Sequence, residues 1–283
     1  MERPTVLIVG AGSMLGSSLR RLLEQQDVAV VATGRTDGDV LYDLASLAPP
    51  PPIRSKLDAV FVCAAAFGDD SWESSLTNAQ VNATAMFRIA EWAAAAGCQS
   101  VIHASSIFAY QPDSSYGLTK SLGEQILQWA GSAKGLAATS IRLPQLCDDQ
   151  GRCSGRQPWF SRIVASAARG LDLRLAPNDH PRNFLHVADA ARMLYSAWTS
   201  QSRGIRTVIN PQSHSYQEIA EIAYATFARG GCVIKDATMR PFRDGSRRAL
   251  ADATTEIPDW PVITIRETFE RIKASNQDRC FTV

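Results

Sequence analysis

Tyr116 and Lys120 stand four residues apart in Tyr116-Gly117-Leu118-Thr119-Lys120, at the start of a stretch with helical periodicity, so both project from one helical face. A phenol with its ordinary pKa of about 10 is a poor base near neutrality. A neighbouring ammonium stabilises the phenolate and lowers that value, which makes proton exchange with a substrate hydroxyl feasible. Just upstream, Ser105-Ser106 closes a strand-like run. A serine hydroxyl there can hold the same substrate oxygen, donating or accepting as carbonyl and alcohol interconvert. On its own, a Tyr–Lys pair at this spacing is ordinary helix surface. A second feature gives it weight.

Directly after the first apolar run comes Gly10-Ala11-Gly12-Ser13-Met14-Leu15-Gly16, opening a helical pattern. Glycine at a strand exit permits a tight turn, and glycine inside the helix permits close packing on a sheet. The helix N-terminus offers N–H groups and a positive dipole end to a pyrophosphate. A glycine pattern is weak alone and strong between a strand and a helix. The next run, Val30-Val31-Ala32-Thr33-Gly34-Arg35-Thr36, has no carboxylate for ribose hydroxyls until Asp37. Arg35 pairs with a 2′-phosphate or is a solvated loop charge; the first reading favours NADP(H) over NAD(H). Asp43-Leu44 either places a carboxylate near an adenine amino group or is a simple turn.

These residues need a scaffold, and the rest of the chain reads as one. Thr5–Val9, Val28–Ala32, Ala59–Ala64 and Ser100–His103 are strand-like, and Met14–Gln26, Ala79–Ala96 and Tyr116–Ala130 are helical. The alternation predicts an α/β fold, a Rossmann-type doubly wound parallel sheet with a smaller C-terminal α/β substrate lobe. Gly97 is the expected C-cap of its helix. Pro49–Pro52 reads as an extended crossover loop. A helix is expected at Trp159–Arg169, a strand at Leu171–Leu175, a return to α/β pattern at Asn183–Thr199, and helices at Tyr216–Phe227 and Ile263–Ala274. The expected division is 1–145 plus about 183–200 for the dinucleotide domain, and about 146–182 and 201–283 for the lobe.

Over 283 residues, 29 Lys+Arg nearly balance 28 Asp+Glu, and 45% of residues are hydrophobic. Disorder is excluded, and so is binding to nucleic acid or acidic membrane by bulk charge. The six cysteines lack paired metal spacing and read as reduced thiols, so no metal is expected. With no long apolar span and no leader-like start, the expected location is cytoplasmic.

Taken together, these motifs resemble the extended short-chain dehydrogenases/reductases, the family of NAD-dependent epimerases, dehydratases and reductases of nucleotide sugars. The resemblance spans nearly the whole chain. It implies dinucleotide contacts from Gly10, Gly12, Ser13, Met14, Leu15 and Gly16, from Cys63, Ala64 and Ala65 beside the cofactor, from Asn82 on the following helix, and from Leu143. Ser106, Tyr116 and Lys120 match the family's catalytic serine, tyrosine and lysine, the last two also touching cofactor. On the substrate side it implies Ser105, Ser106, Gln145, Arg182, Arg240 and Arg243; the two last are a diphosphate clamp or a solvent-facing basic loop. Arg182–Asp189 resembles the family's re-entry segment. Five departures stand out, one being Cys147-Asp148 in place of the family's tyrosine-glycine. Ser13 replaces the middle glycine, Gln145 an asparagine, Asn183 an aspartate, and the Ser106–Tyr116 interval is short.

Ile107 and Phe108 occupy the places where sugar dehydratases carry an Asp-Glu pair, which ranks dehydration low. The leading expectation is an enzyme reducing a nucleotide-linked keto-sugar, with Tyr116 as proton donor. The alternatives are a 4-epimerase retaining NAD, a non-sugar carbonyl reductase, and an NADP(H)-binding sensor without turnover. His186 reads as a core-edge histidine, and His180 as a residue near the cleft. The sequence leaves the oligomeric state open; Ala79–Ala96 and Tyr116–Ala130 are the helices that would pair in a homodimer, as they do in relatives.

Overall fold

The computed structural model describes residues 3–53, 55–110, 113–177, 179–239, 251 and 255–282. Its strands are β1 (Thr5–Val9), β2 (Ala29–Gly34), β3 (Val40–Leu41), β4 (Ala59–Val62), β5 (Ser100–Ser106), β6 (Ala137–Leu143), β7 (Gln145–Cys147), β8 (Leu173–Leu175), β9 (Phe184–His186), β10 (Gly204–Val208), β11 (Val233–Lys235) and β12 (Thr255–Glu256). The α-helices are α1 (Met14–Gln25), α2 (Trp72–Asn78), α3 (Ala85–Ala95), α4 (Ser115–Lys134), α5 (Pro158–Arg169), α6 (Val187–Thr199), α7 (Tyr216–Phe227) and α8 (Ile265–Ala274).

The chain divides into two units, the first being Met1–Leu143, Ala190–Val208 and Thr254–Glu256. Its sheet runs β3-β2-β1-β4-β5-β6-β10-β12, with every pairing parallel. β1, β4 and β5 are buried on both faces, which is why β1 and β4 read as apolar runs without alternation. On one face Leu7, Val9, Val60 and Val62 pack with Met86, Ile89 and Trp92 of α3 and Leu127 of α4. Strand order reverses at β1, where the chain steps outward to β2 on one side and to β4 on the other. In such sheets the crevice beyond the strand ends at the reversal is the ligand position.

Three features differ from expectation here. The helix expected over Ala79–Ala96 begins earlier, at Trp72, and passes through a π-helical stretch, Ala79–Thr84, before α3. Gly97, expected as the C-cap, is the residue after it: the C-cap is Ala96, and Gly97 follows at φ +66°. Gly204–Val208, expected in the smaller lobe, is instead β10 of the large sheet, hydrogen-bonded along β6 from Gly204↔Thr139 to Thr207↔Arg142. Its place beside the two-residue edge strand β12 explains why it was illegible: Ile205 is exposed and Arg206 forms an ion pair with Glu256 of β12.

The second unit is Pro144–Asp189, Ile209–Ala253 and Ile257–Val283. Two short parallel pairs, β7 with β9 and β8 with β11, accompany α5, α7 and α8. Phe160, Phe184, Phe227, Phe269 and Phe281 fill its core, with Phe160 5.5 Å from both Phe184 and Phe269. Serine or threonine three residues before glutamate starts α7 and α8: Ser215/Glu218 and Thr264/Glu267 form complete capping boxes. The segment Phe184–His186, expected to rejoin the first sheet, pairs with β7 instead, and the chain returns to the first unit only from Ala190. Asn183, just before this strand, is anchored within the second unit. Its Nδ2 donates to Asn210 O, Gln212 O and Ser213 Oγ, and its Oδ1 accepts from Asn210 N. An ionised aspartate has no hydrogen to donate to those acceptors.

Candidate active site

The glycine loop leaves β1 with Gly10 at φ +84°, where an added Cβ would stand 2.7 Å from Ala64. A Cβ on Gly16 would meet the Gly10 carbonyl, so the helix and the turn interlock through both glycines. A Cβ on Gly12 meets nothing within 4 Å. Glycine there opens backbone to an approaching group and is not required by the protein's own packing. Ser13 has ordinary extended geometry (φ −69°), so no glycine is needed at that place. Its hydroxyl caps α1 by accepting from Gly16 N at 2.9 Å and reaches Cys63 O at 3.4 Å. Met14 and Leu15 follow in the first turn, where N–H groups have no intrahelical acceptor. This cradle fits a pyrophosphate.

The exits of β1 and β4 are tied together, with Cys63 N and Ala64 N both donating to Val9 O. Burial pushes the Cys63 thiol up to about 12, which leaves it an inert wall. Asn82, in the π-helical stretch, grips Ala66 from both sides: Oδ1 accepts from its N–H and Nδ2 donates to its carbonyl, each at 2.9 Å. Ala65 is thereby held between anchored neighbours. At the end of β2, Arg35 is exposed. The nearby Asp39 carboxylate is engaged within the loop, accepting from Ala32 N at 2.8 Å. Asp43 Oδ1 accepts from Ala45 N in a local turn, while Leu44 is buried and its carbonyl accepts from Arg88.

α4 starts where Ser114 accepts from Gly117 N and ends at Gly135 in the left-handed region (φ +71°). Tyr116 lies in its first turn, its ring stacked on Phe67 (4.4 Å between centroids) with the Phe108 edge against it at 6.2 Å. One turn on, Lys120 is fully buried. Its Nζ donates to Ala104 O at 2.6 Å and lies 3.0 Å from His103 Nε2. Burial pushes this lysine down to about 8, against the opposing pull of Glu124 and Cys63.

The two serines are not equivalent. Ser105 Oγ donates to Glu124 Oε1 at 2.5 Å, and Glu124 is forked to Arg142 at 2.7–3.2 Å. Arg142 in turn lies over the Tyr110 ring. Ser106 Oγ accepts from Phe108 N, which leaves its own hydrogen to donate. Ser106 pairs in register with Leu143, the last residue of β6.

In the second unit Gln145 opens β7 with a buried Oε1, and Arg182 is almost wholly buried. Arg182 binds both Asp179 oxygens at 3.0 Å and stacks on the Tyr216 ring at 4.3 Å. It is occupied within its own unit and does not stand on an open face. His180 is exposed, while His186 is buried, as read, with Nδ1 accepting from Ala188 N. Arg240 and Arg243 lie outside the described residues. Sequence reasoning missed His103, Glu124 and Phe67. Glu124 carried a signal, being four residues beyond Lys120 and eight beyond Tyr116 on the same helical face. His103 carried one too, lying two residues before Ser105 on the same strand face.

Among the described residues, no helix is long and apolar enough to cross a membrane. No curated protein matches the chain. The chain shares its fold with solved structures, among them these three. The RMD protein from Pseudomonas aeruginosa complexed with NADPH is 18% identical, with TM-score 0.78, covering 98% of this chain and 99% of that one. The UDP-glucose 4-epimerase of Thermus thermophilus with NAD is 18% identical, with TM-score 0.73 and coverage of 96% and 99%. MoeE5 in complex with UDP-glucose and NAD is 19% identical, with TM-score 0.74 and coverage of 96% and 99%. Residues 6–210 match a family model, and on that match the chain belongs to the NAD dependent epimerase/dehydratase family, enzymes of the extended short-chain dehydrogenase/reductase type.

Proposed function

We propose that this chain is an NAD(P)-dependent oxidoreductase of nucleotide-linked sugars, and that its net reaction is reduction of a keto-sugar with NADPH. The observation that carries the redox reading is convergence on the end of β5. Lys120 reaches Ala104 O, Tyr116 packs against Phe108, and Ser106 sits between those two positions. When bound, the dinucleotide supplies or removes a hydride at the sugar carbon. Ser106 Oγ–H donates to the substrate carbonyl oxygen and polarises it. Tyr116 delivers its phenolic proton to that oxygen as it becomes an alkoxide, and the Lys120 ammonium stabilises the phenolate left behind. Ser105, already donating to Glu124, stiffens the strand end and leaves substrate contact to Ser106.

Preference for NADP(H) rests on Arg35, whose guanidinium is exposed at the end of β2 while the Asp39 carboxylate is turned onto Ala32 N. A guanidinium matches a 2′-phosphate. The second reading, 4-epimerisation with retained NAD, needs the same three side chains. It is favoured by the two relatives above that hold NAD, one of them an epimerase and the other bound to UDP-glucose. The deciding experiment extracts the dinucleotide that purifies with the protein and follows absorbance at 340 nm with a panel of nucleotide 4-keto-sugars. NADPH oxidation lost in Tyr116→Phe supports reduction. Retained NAD with inversion of UDP-glucose at C4 and no net redox change supports epimerisation. Dinucleotide binding with no turnover of any substrate would sink both.

A homodimer is part of the proposal. Leu118, Leu122 and Trp129 share one face of α4 and are exposed, and Phe87 of α3 is exposed beside Trp129, with rings 5.7 Å apart. A second copy of this face would cover it. Sedimentation of Trp129→Arg against the parent protein tests this, the dimer being expected to dissociate.

A further inference from the structure

We infer that His103 is a positioning residue for Lys120: its imidazole accepts a hydrogen bond from the buried ammonium and holds that group protonated beneath α4. The inference rests on the redox reading above. His103 is fully buried in β5 beside Val101 and Ile102, where an imidazole serves no packing need that leucine would not meet. Its two ring nitrogens both have partners. Nε2 lies 3.0 Å from Lys120 Nζ and Nδ1 lies 3.2 Å from Ser140 Oγ on β6. An ammonium can only donate, so Nε2 accepts, Nδ1 carries the ring hydrogen, and Ser140 Oγ receives it.

His103 and Ser105 share one face of β5, and Lys120 and Glu124, one turn apart, share one face of α4. His103 and Ser105 therefore meet Lys120 and Glu124 respectively, and the neighbouring β6 answers with Ser140 and Arg142 at the paired positions. The charged and titratable groups around Lys120 are Glu124 and Tyr116 on its own helix, His103 on β5 and Cys63 at the exit of β4. Glu124 raises the proton affinity of Lys120 but is itself held by Arg142, and the Cys63 thiol stays neutral. Burial, with the nearby Lys120 charge, lowers His103 well below its ordinary range, so it remains a neutral acceptor while the lysine is charged. Of the three ammonium hydrogens, Ala104 O and His103 take two. One is left for the Tyr116 side of the site.

The chain has five lysines and four histidines, few enough for both groups to be followed by NMR. In the parent protein, nitrogen shifts of the His103 ring should report hydrogen on Nδ1 and a bare Nε2. Lys120, assigned with Lys120→Arg, is then titrated through its Cε resonance in His103→Leu and His103→Gln. Loss of the acceptor should move the Lys120 titration down by about one unit or more. The amide oxygen of glutamine should restore it to within about half a unit. The alkaline limb of kcat for reduction should follow the same order, which a packing role would not produce. Hydrogen on Nε2 in the parent, or an unmoved Lys120 titration in folded His103→Leu, overturns the inference. Because the ring tautomer is read in the unaltered protein, the test survives a variant that does not fold. Turnover persisting in Tyr116→Phe would instead remove the redox reading and leave the lysine titration as it stands.

Discussion

Ser105 and Lys120 approach the same helix–strand seam as neighbouring rungs: Ser105 Oγ donates to Glu124 Oε1 at 2.5 Å, one helical turn beyond the contact of Lys120 Nζ with His103. Glu124 is wholly buried and neutralised by Arg142, which also leans over Tyr110. Removing one partner of such a pair strands the other. Glu124→Ala is expected to lose about 3–5 kcal/mol of stability, measured by urea unfolding. Glu124→Gln keeps the Ser105 hydrogen bond and is expected to lose distinctly less. Equal losses would show that the ion pair is not what matters there.

The glycines of the first loop separate folding from binding. Gly16→Ala drives a methyl into the Gly10 carbonyl and is expected to lower Tm by several degrees. Gly12→Ala has open space for its methyl and is expected to melt with the parent while losing at least about tenfold in NADPH affinity, read by fluorescence titration. A Gly12→Ala protein binding NADPH normally would move the pyrophosphate away from this loop.

Arg35→Asp should exchange one dinucleotide for the other. Loss of a charged hydrogen bond to a 2′-phosphate is expected to weaken NADPH by about tenfold or more, with NADH unchanged or tighter. Parallel Kd measurements for the two cofactors check this, and equal changes in both would make Arg35 a general anchor.

Lys120 makes stability depend on pH in a stated direction. The folded lysine releases its proton near pH 8 and the unfolded one near its ordinary 10.5. Between those values the unfolded chain holds more protons, so this group's contribution to stability rises with pH across the window. Lys120→Met lacks the term. The Tm difference, parent minus variant, should therefore increase from pH 8 to pH 10. For reduction the ammonium must be present, so kcat should fall as pH rises through about 8.

The sheet and the loop were legible because local pattern specifies them. Thr5–Val9 and Tyr216–Phe227 keep the bounds read from apolar runs and spacing. β10 was not, since its identity as a strand lies in hydrogen bonds to β6, far away in sequence, and not in its own half-exposed residues. The π-helical turn that presents Asn82 was hidden for a related reason. It is one residue wider than an α-turn, and the close approach of Gly123 to the Asn82 carbonyl, a tertiary contact, accompanies it. Ser13 looked like a defect in the glycine pattern and is a helix cap. Tyr116 and Lys120 were singled out by their spacing, whereas His103, at the end of the strand-like run Ser100–His103, was given no role.

β6 ends at Leu143 and its outer partner β10 begins at Gly204, about 60 residues later. A ribosome adding about 5–20 residues per second leaves the β6 flank bare for several seconds. During that interval the nascent chain offers unpaired backbone to any neighbour. Expression yield should therefore respond to translation speed over residues 144–208, whatever the thermodynamic stability of the finished protein.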